Sequence, residues 1–330
     1  MPMRKALLLI VLSLACFPKI ERYARGDERC WVVVYSDDLR RVASHLQAET
    51  FRVIRTPQPE SLFKLIFVTP DEFQKSWRGY KNVIILATPS SPTFNLYLSV
   101  FPEPRQGLSE KKGGFVRDDY VIGLFGEKEE GLYGSLTAIT PILREKMHER
   151  VMFLYSRLAY YPGRNKKFAN AIKEEYGYRI DLPDGWAFVK EEEDFLSMAK
   201  HNPDQFFFIY RENAPRALDP KGILDLRDVL TAAFYEGDYS LRELVEAEEI
   251  RFRGNPAIAI WGVWQNDERV AGGPFKTIAF NESGRFYMID MAVFAPEKSD
   301  KLQYIFRMEA FLRSFEPARA QNTKLSKIPE

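Results

Sequence analysis

The sequence predicts an α+β protein built as two α/β sandwich domains, the second with a mainly antiparallel sheet flanked by helices. Three observations predict it. In the first half, apolar runs of strand length alternate with segments of helical periodicity. In the second half, β-rich stretches follow one another through short turns such as Asn281-Glu282-Ser283-Gly284. Between the halves, Tyr161-Pro162-Gly163 breaks the chain. A length of 330 residues, 45% hydrophobic and 28% charged, suits about two packed domains and excludes a fibrous or disordered chain.

From the start, residues 1–15 read as a secretory signal peptide. Arg4 and Lys5 form its basic region, and an apolar run over 6–15, too short to span a bilayer, ends in small residues. Cys16 follows at once, and its position resembles the lipobox cysteine of bacterial lipoproteins, with Ser13 and Leu14 in the places where a Leu and a small residue are usual. Residues 16–29 are charged and without apolar periodicity, so they read as a tether. With Cys16 acylated, Cys30 has no intramolecular partner and is expected to be a buried core thiol.

The N-terminal domain is placed at 30–161. Residues 31–35 form a strand, and Ser36-Asp37-Asp38 caps a helix over 39–47. A second strand at 62–68 leads into Thr69-Pro70-Asp71, a helix start with Pro in the first turn. A third strand lies at 83–86. The Pro- and Ser-rich stretch 88–112 reads as a loop carrying a short helix at 94–98, and 120–125 is a fourth strand. Helical spacing then runs over 127–160, where Pro141 bends or divides the helix.

The C-terminal domain is placed at 162–316. A helix at 165–176 leads to a strand at 178–182 and a turn between strands at Pro183-Asp184-Gly185-Trp186. Strands follow at 195–199 and 205–210, a helix at 222–234, strands at 249–253, 257–264, 275–280 and 286–294, and a last helix at 299–315. The tail, 317–330, has no apolar pattern and reads as disordered.

Several phrases resemble the envelope lipoproteins grouped as domain of unknown function 4837. They are Gln58-Pro-Glu-Ser-Leu-Phe63, Gly123-Leu-Phe-Gly126, Tyr176-Gly-Tyr-Arg-Ile-Asp-Leu-Pro-Asp-Gly-Trp186, Ile223-Leu-Asp-Leu-Arg-Asp228, Gly262-Val-Trp264 and Ala271-Gly-Gly-Pro-Phe275, and they extend over nearly the whole mature chain. That family has no assigned activity. The second half also resembles the fold of PsbP and Mog1 proteins, through residues 180–186, Asn255-Pro-Ala and a terminal helix ending in Arg313-Ser-Phe315. The resemblance implies binding of proteins more than catalysis, and fold alone does not fix function.

Charge and motifs narrow the classes further. Lys plus Arg total 47 against 46 Asp plus Glu, so no overall field favours nucleic acid. Three His on separate elements give no metal spacing, and no cofactor is expected. Arg227, flanked by Asp225 and Asp228, is expected in a helix-to-sheet ion pair, with anion binding as the sharper alternative. Gly272 and Gly273 read as a bulge or tight turn between strands, or less plausibly a phosphate loop. Trp261 and Trp264, three apart on a strand, point to opposite faces, so one ring is expected at the surface as a binding anchor.

The expected whole is a lipid-anchored, periplasm-facing protein of the bacterial cell envelope that binds or scaffolds another envelope component. Its membrane contact is through an N-terminal lipid. The alternatives are an envelope hydrolase using carboxylates in an interdomain cleft, or a carrier of a small apolar ligand.

Overall fold

The structure, a computed structural model, describes residues 23–317. The signal segment, Cys16 and the tail beyond residue 317 lie outside the described residues. In chain order the first half holds β1 (Cys30–Val34), α1 (Arg40–Thr50), the short pair β2 (Val53–Ile54) and β3 (Glu60–Ser61), β4 (Lys64–Val68), α2 (Pro70–Glu72), β5 (Asn82–Ala87), α3 (Phe94–Val100), β6 (Gly107–Lys112), β7 (Tyr120–Phe125) and α4 (Glu129–Ala159). The second half holds α5 (Lys166–Tyr176), β8 (Ala187–Glu192), β9 (Phe195–Lys200), β10 (Asp204–Glu212), α6 (Pro220–Phe234), β11 (Tyr239–Ser240), β12 (Glu246–Phe252), β13 (Asn255–Asn266), β14 (Ala271–Glu282), β15 (Arg285–Phe294) and α7 (Leu302–Leu312).

The first sheet has the order β4-β1-β5-β7-β6, parallel except for β6 at its edge. β1, β5 and β7 are buried along their whole length because helices cover both faces, which is why they read as unbroken apolar runs. The second sheet has the order β11-β13-β14-β15-β10-β9-β8, with β12 also paired to β13, and every pairing is antiparallel. α6 packs behind it with Ile223, Leu224 and Leu230. Between the two sheets lies one continuous apolar core from Trp31 to Phe315, into which α1, α4 and α7 all turn buried side chains.

α4 is a single helix of 31 residues that passes through Pro141. Leu136 and Thr140 before it and Leu143 and Met147 after it are all buried, so packing on both sides of the proline holds the axis together. Caps follow the sequence elsewhere. Thr69 and Glu72 close a capping box at α2, Asn165 caps α5, Asp219 caps α6, and Gly177 ends α5 with φ of 74°.

The structure departs from the sequence reading in four places. Residues 23–29, expected as bare tether, are fastened to the body: Ala24 N–H donates to Arg117 O at 2.9 Å and Arg25 N–H to Gly79 O at 2.8 Å. β6 falls inside the stretch expected as loop, and β8 lies between the turn at 183–186 and the strand expected at 195–199, where none was placed. Residues 178–182 form no ladder. Tyr178, Ile180 and Leu182 are buried in alternation, and the backbone of Arg179 exchanges hydrogen bonds of 2.8 Å with Glu316.

Candidate functional site

Arg227 lies on the inner face of α6, 1% exposed. Its Nε donates to Asp290 Oδ1 on β15 at 2.8 Å, its Nη2 to Asp290 Oδ2 at 3.2 Å, and its Nη1 to Ser240 Oγ at 3.0 Å. Thr277 on β14 donates to the same Asp290 carboxylate at 2.5 Å, and the Arg227 guanidinium sits 3.6 Å from the Phe275 ring centre. The network continues outward. Ser240 donates its hydroxyl to Asp228 at 2.6 Å, and Arg242 bridges Asp228 at 2.5 Å and Asp225 at 2.8 Å. The expected helix-to-sheet ion pair is therefore present, and all three guanidinium nitrogens of Arg227 are occupied within the protein.

Trp261 and Trp264 do face opposite sides of β13, but both are buried, each 4% exposed. The expectation of one surface ring is corrected. β13 is an inner strand of a sheet covered on both faces, so Trp261 enters the core between the sheets and Trp264 the core beneath α6. Gly272 and Gly273 are also placed differently: they lie within β14, paired with Gln265 and Trp264, and do not form a connection between strands. A methyl group on Gly273 would collide with Val293 O and stand 3.3 Å from Trp264 Nε1, so glycine here gives the indole its room. Trp264 Nε1 has no hydrogen-bond partner among the described residues.

A second buried ionic group lies under Trp261. Lys276 Nζ is 4.5 Å from that ring and 2.7 Å from Glu309 on α7, which His148 on α4 approaches at 3.5 Å. Burial opposes charge on Glu309, but Lys276 and His148 outweigh it and hold the carboxyl well below its ordinary range.

A third group joins the two halves, and sequence reasoning did not anticipate it. Glu60, 8% exposed, accepts from the backbone N–H of Lys301 at 2.9 Å and of Leu302 at 3.1 Å, so a side chain of the first half caps α7 of the second. Gln58 Oε1 accepts from Lys301 Nζ at 2.7 Å. Beside them Asp300 pairs with the buried Arg29 and, at 2.8 Å, with Lys64. Burial works against the Asp300 charge, while Arg29 and Lys64 lower its pKa; burial raises that of Glu60. The phrase Gln58-Pro-Glu-Ser-Leu-Phe63 carried the signal, but its partners stand 241 residues away.

Cys30 is a free, buried thiol as expected, pushed up to about 11 chiefly by burial, with Asp27 adding to it. His45 stacks on Tyr133 at 4.6 Å and His201 meets Asp204 at 2.7 Å. Among the described residues no group of His, Cys, Asp and Glu could hold a metal ion, and no helix is long and apolar enough to cross a membrane.

These features define an α+β protein of two large sheets and a short β2–β3 pair, whose buried charges fasten one element to another. Residues 164–314 match the family model described as Domain of unknown function (DUF4837). This is the family read from the sequence, and the match covers its phrases from Tyr176 to Phe275; those at Gln58 and Gly123 lie outside it. No curated protein sequence matches the chain. Among solved structures it is similar to a Bacteroides thetaiotaomicron protein at 8% identity and TM-score 0.28, covering 42% of this chain and 44% of that one. It is also similar to the Saccharomyces cerevisiae Ran-binding protein Mog1p at 9% identity and TM-score 0.31, over 44% of this chain and 93% of that one. A third similar structure is LpqN of Mycobacterium tuberculosis, titled as involved in cell envelope biogenesis, at 11% identity and TM-score 0.26, over 42% and 83% of the two chains.

Proposed function

We propose that the protein is a lipid-anchored component of the bacterial cell envelope, held through Cys16, whose body is a rigid binding or scaffolding module for another envelope component. The observation that carries this reading is the way the chain begins. Arg4, Lys5 and the apolar run up to Ala15 lead to Cys16, and with only six residues between, at Tyr23, the chain already bridges to Arg117 in the body. Fully extended, the seven steps from Cys16 to Tyr23 reach about 25 Å. Such an anchor keeps the body at the membrane surface in a restricted orientation, which suits a scaffold more than a protein that diffuses to its target. The buried groups around Glu60 and Arg29 support the rigid part of the reading, because they tie both halves to the anchored end. The carboxylates that meet between the halves, Glu60 and Asp300, are engaged by the backbone of Lys301 and Leu302 and by Arg29 and Lys64, an arrangement that supports fastening over hydrolysis.

Metabolic labelling with a palmitate analogue tests the anchor. The expected result is label on the wild-type chain and none on Cys16→Ala. An unlabelled wild type, or equal label on both, would remove it. Crosslinking in the native envelope then tests the module: a defined partner whose recovery depends on surface residues of the body is expected, and only random collisional products would count against it.

A further inference from the structure

The first described segment, at Tyr23 to Arg25, carries a surface of its own. Tyr23, Arg25, Arg78 and Arg117 are exposed, and Trp77, Tyr80 and Phe115 are half-buried beside them. Contacts join them into one face: Arg117 lies 5.0 Å from the Tyr23 ring centre, Arg25 5.7 Å from that of Tyr80, and Arg78 5.6 Å from that of Phe115. Trp77 and Tyr80 pack at 4.7 Å, and Arg25 Nη2 donates to Ser76 O at 3.0 Å. Nearby, Glu28 pairs with Lys81, Asp27 with Lys64 at 3.1 Å and Asp118 with Arg157 at 3.4 Å. The face lies at the end of the first sheet where β5 and β7 begin, next to Tyr23, the first described residue after Cys16.

We infer that this face, made of Tyr23, Arg25, Trp77, Arg78, Tyr80 and Arg117, rests on the headgroups of an anionic membrane. The inference rests on the lipid-anchored reading and adds the orientation. Three points select a lipid surface as the occupant. The six-residue span from Cys16 brings this end of the body to the bilayer before any other. Three exposed arginines complement anionic headgroups. Trp and Tyr rings, apolar with one polar edge, are the side chains that settle at a membrane interface. The near-zero net charge of the whole chain conceals this local concentration.

The chain reports on the contact itself. Of its five tryptophans, Trp31, Trp186, Trp261 and Trp264 are buried, leaving Trp77 as the ring that lipid can reach. The full acylated chain is reconstituted in vesicles of phosphatidylethanolamine and phosphatidylglycerol, with and without brominated acyl chains. Brominated vesicles are expected to lower tryptophan emission, and Trp77→Phe to abolish most of that drop. The combined variant Arg25→Glu, Arg78→Glu, Arg117→Glu, checked for unchanged near-ultraviolet circular dichroism, should lose about half or more of it. A labelled, vesicle-bound chain with no drop, or with an equal drop in Trp77→Phe, would overturn the face and leave the anchor standing. Loss of the drop together with a crosslink from this face to a protein would also overturn it. If Cys16 carries no acyl label, the anchor reading fails by itself. Added to the same vesicles, the unacylated chain would then support the face by Trp77-dependent quenching that needs phosphatidylglycerol, and overturn it by showing none.

Discussion

Asp290 receives Arg227 through two nitrogens and Thr277 through a hydroxyl, at a site almost without water. Removing one partner leaves the other charge buried and alone, so Arg227→Met should cost about 3–5 kcal/mol in urea unfolding. The double variant Arg227→Met, Asp290→Leu should cost clearly less than the sum of the single changes, because the orphaned charge is gone. Additive losses would show that the two residues act separately. Cys30 makes a prediction in pH. Its folded pKa, about 11, lies above the ordinary thiol value of about 8.5, so the unfolded chain ionises first as pH rises. The stability it contributes is complete below about pH 8.5 and is lost on the way to about pH 11. Buried Tyr155 and Tyr178, pushed up by burial, act in the same direction. Urea midpoints should therefore decline over that alkaline range, less steeply in Cys30→Ala. At pH 8, iodoacetamide should leave Cys30 unmodified in the native chain and label it in urea; native labelling would contradict its burial. The ion pair of Arg227 was legible from its neighbours in sequence, and its partner Asp290 was not, because nothing local marks residue 290 as its match.

At the scale of elements, α7 depends on a side chain it does not contain. Glu60→Ala leaves two buried backbone donors without acceptors and should cost about 2–3 kcal/mol, with Glu60→Gln losing less because one oxygen still accepts. Equal urea midpoints for wild type and Glu60→Ala would show that the cap is dispensable. In β14, Gly273→Ala forces a methyl against Val293 O and should cost about 3 kcal/mol, since β14 and β15 must part locally. These elements also show what the sequence carried. α4, α5 and α6 and the strands β1, β5 and β7 were legible because their apolar residues keep a clear period or run unbroken. β6 was not, because it is an edge strand reading Gly-Leu-Ser-Glu-Lys-Lys with half its residues exposed. Residues 178–182 alternate buried and less buried side chains like a strand, but Glu316, just beyond α7, and not a sheet, supplies their partner. The two tryptophans were read correctly for direction and wrongly for exposure, because direction follows from spacing along one strand while exposure depends on α6 and α7, which arrive from elsewhere.

At the scale of the whole molecule, one core touches both sheets, and ionic groups at Glu60 and Arg29 close the seam beside it. Thermal unfolding should accordingly give a single calorimetric transition with equal calorimetric and van't Hoff enthalpies, in place of the two expected of independent domains. Two separated transitions would show that the halves melt alone. Arg29 and Asp300 are 271 residues apart, and the helix that needs Glu60 is the last among the described residues. A polypeptide emerging with its N-terminus ahead, from a ribosome or through a translocation channel, therefore completes the first sheet long before Arg29 has a counter-charge or the central core has its final helix. The pairing of Arg29 and the capping of α7 by Glu60 are therefore late events timed by the arrival of residues 300–302, so the protein finishes folding only after nearly all of it has been delivered.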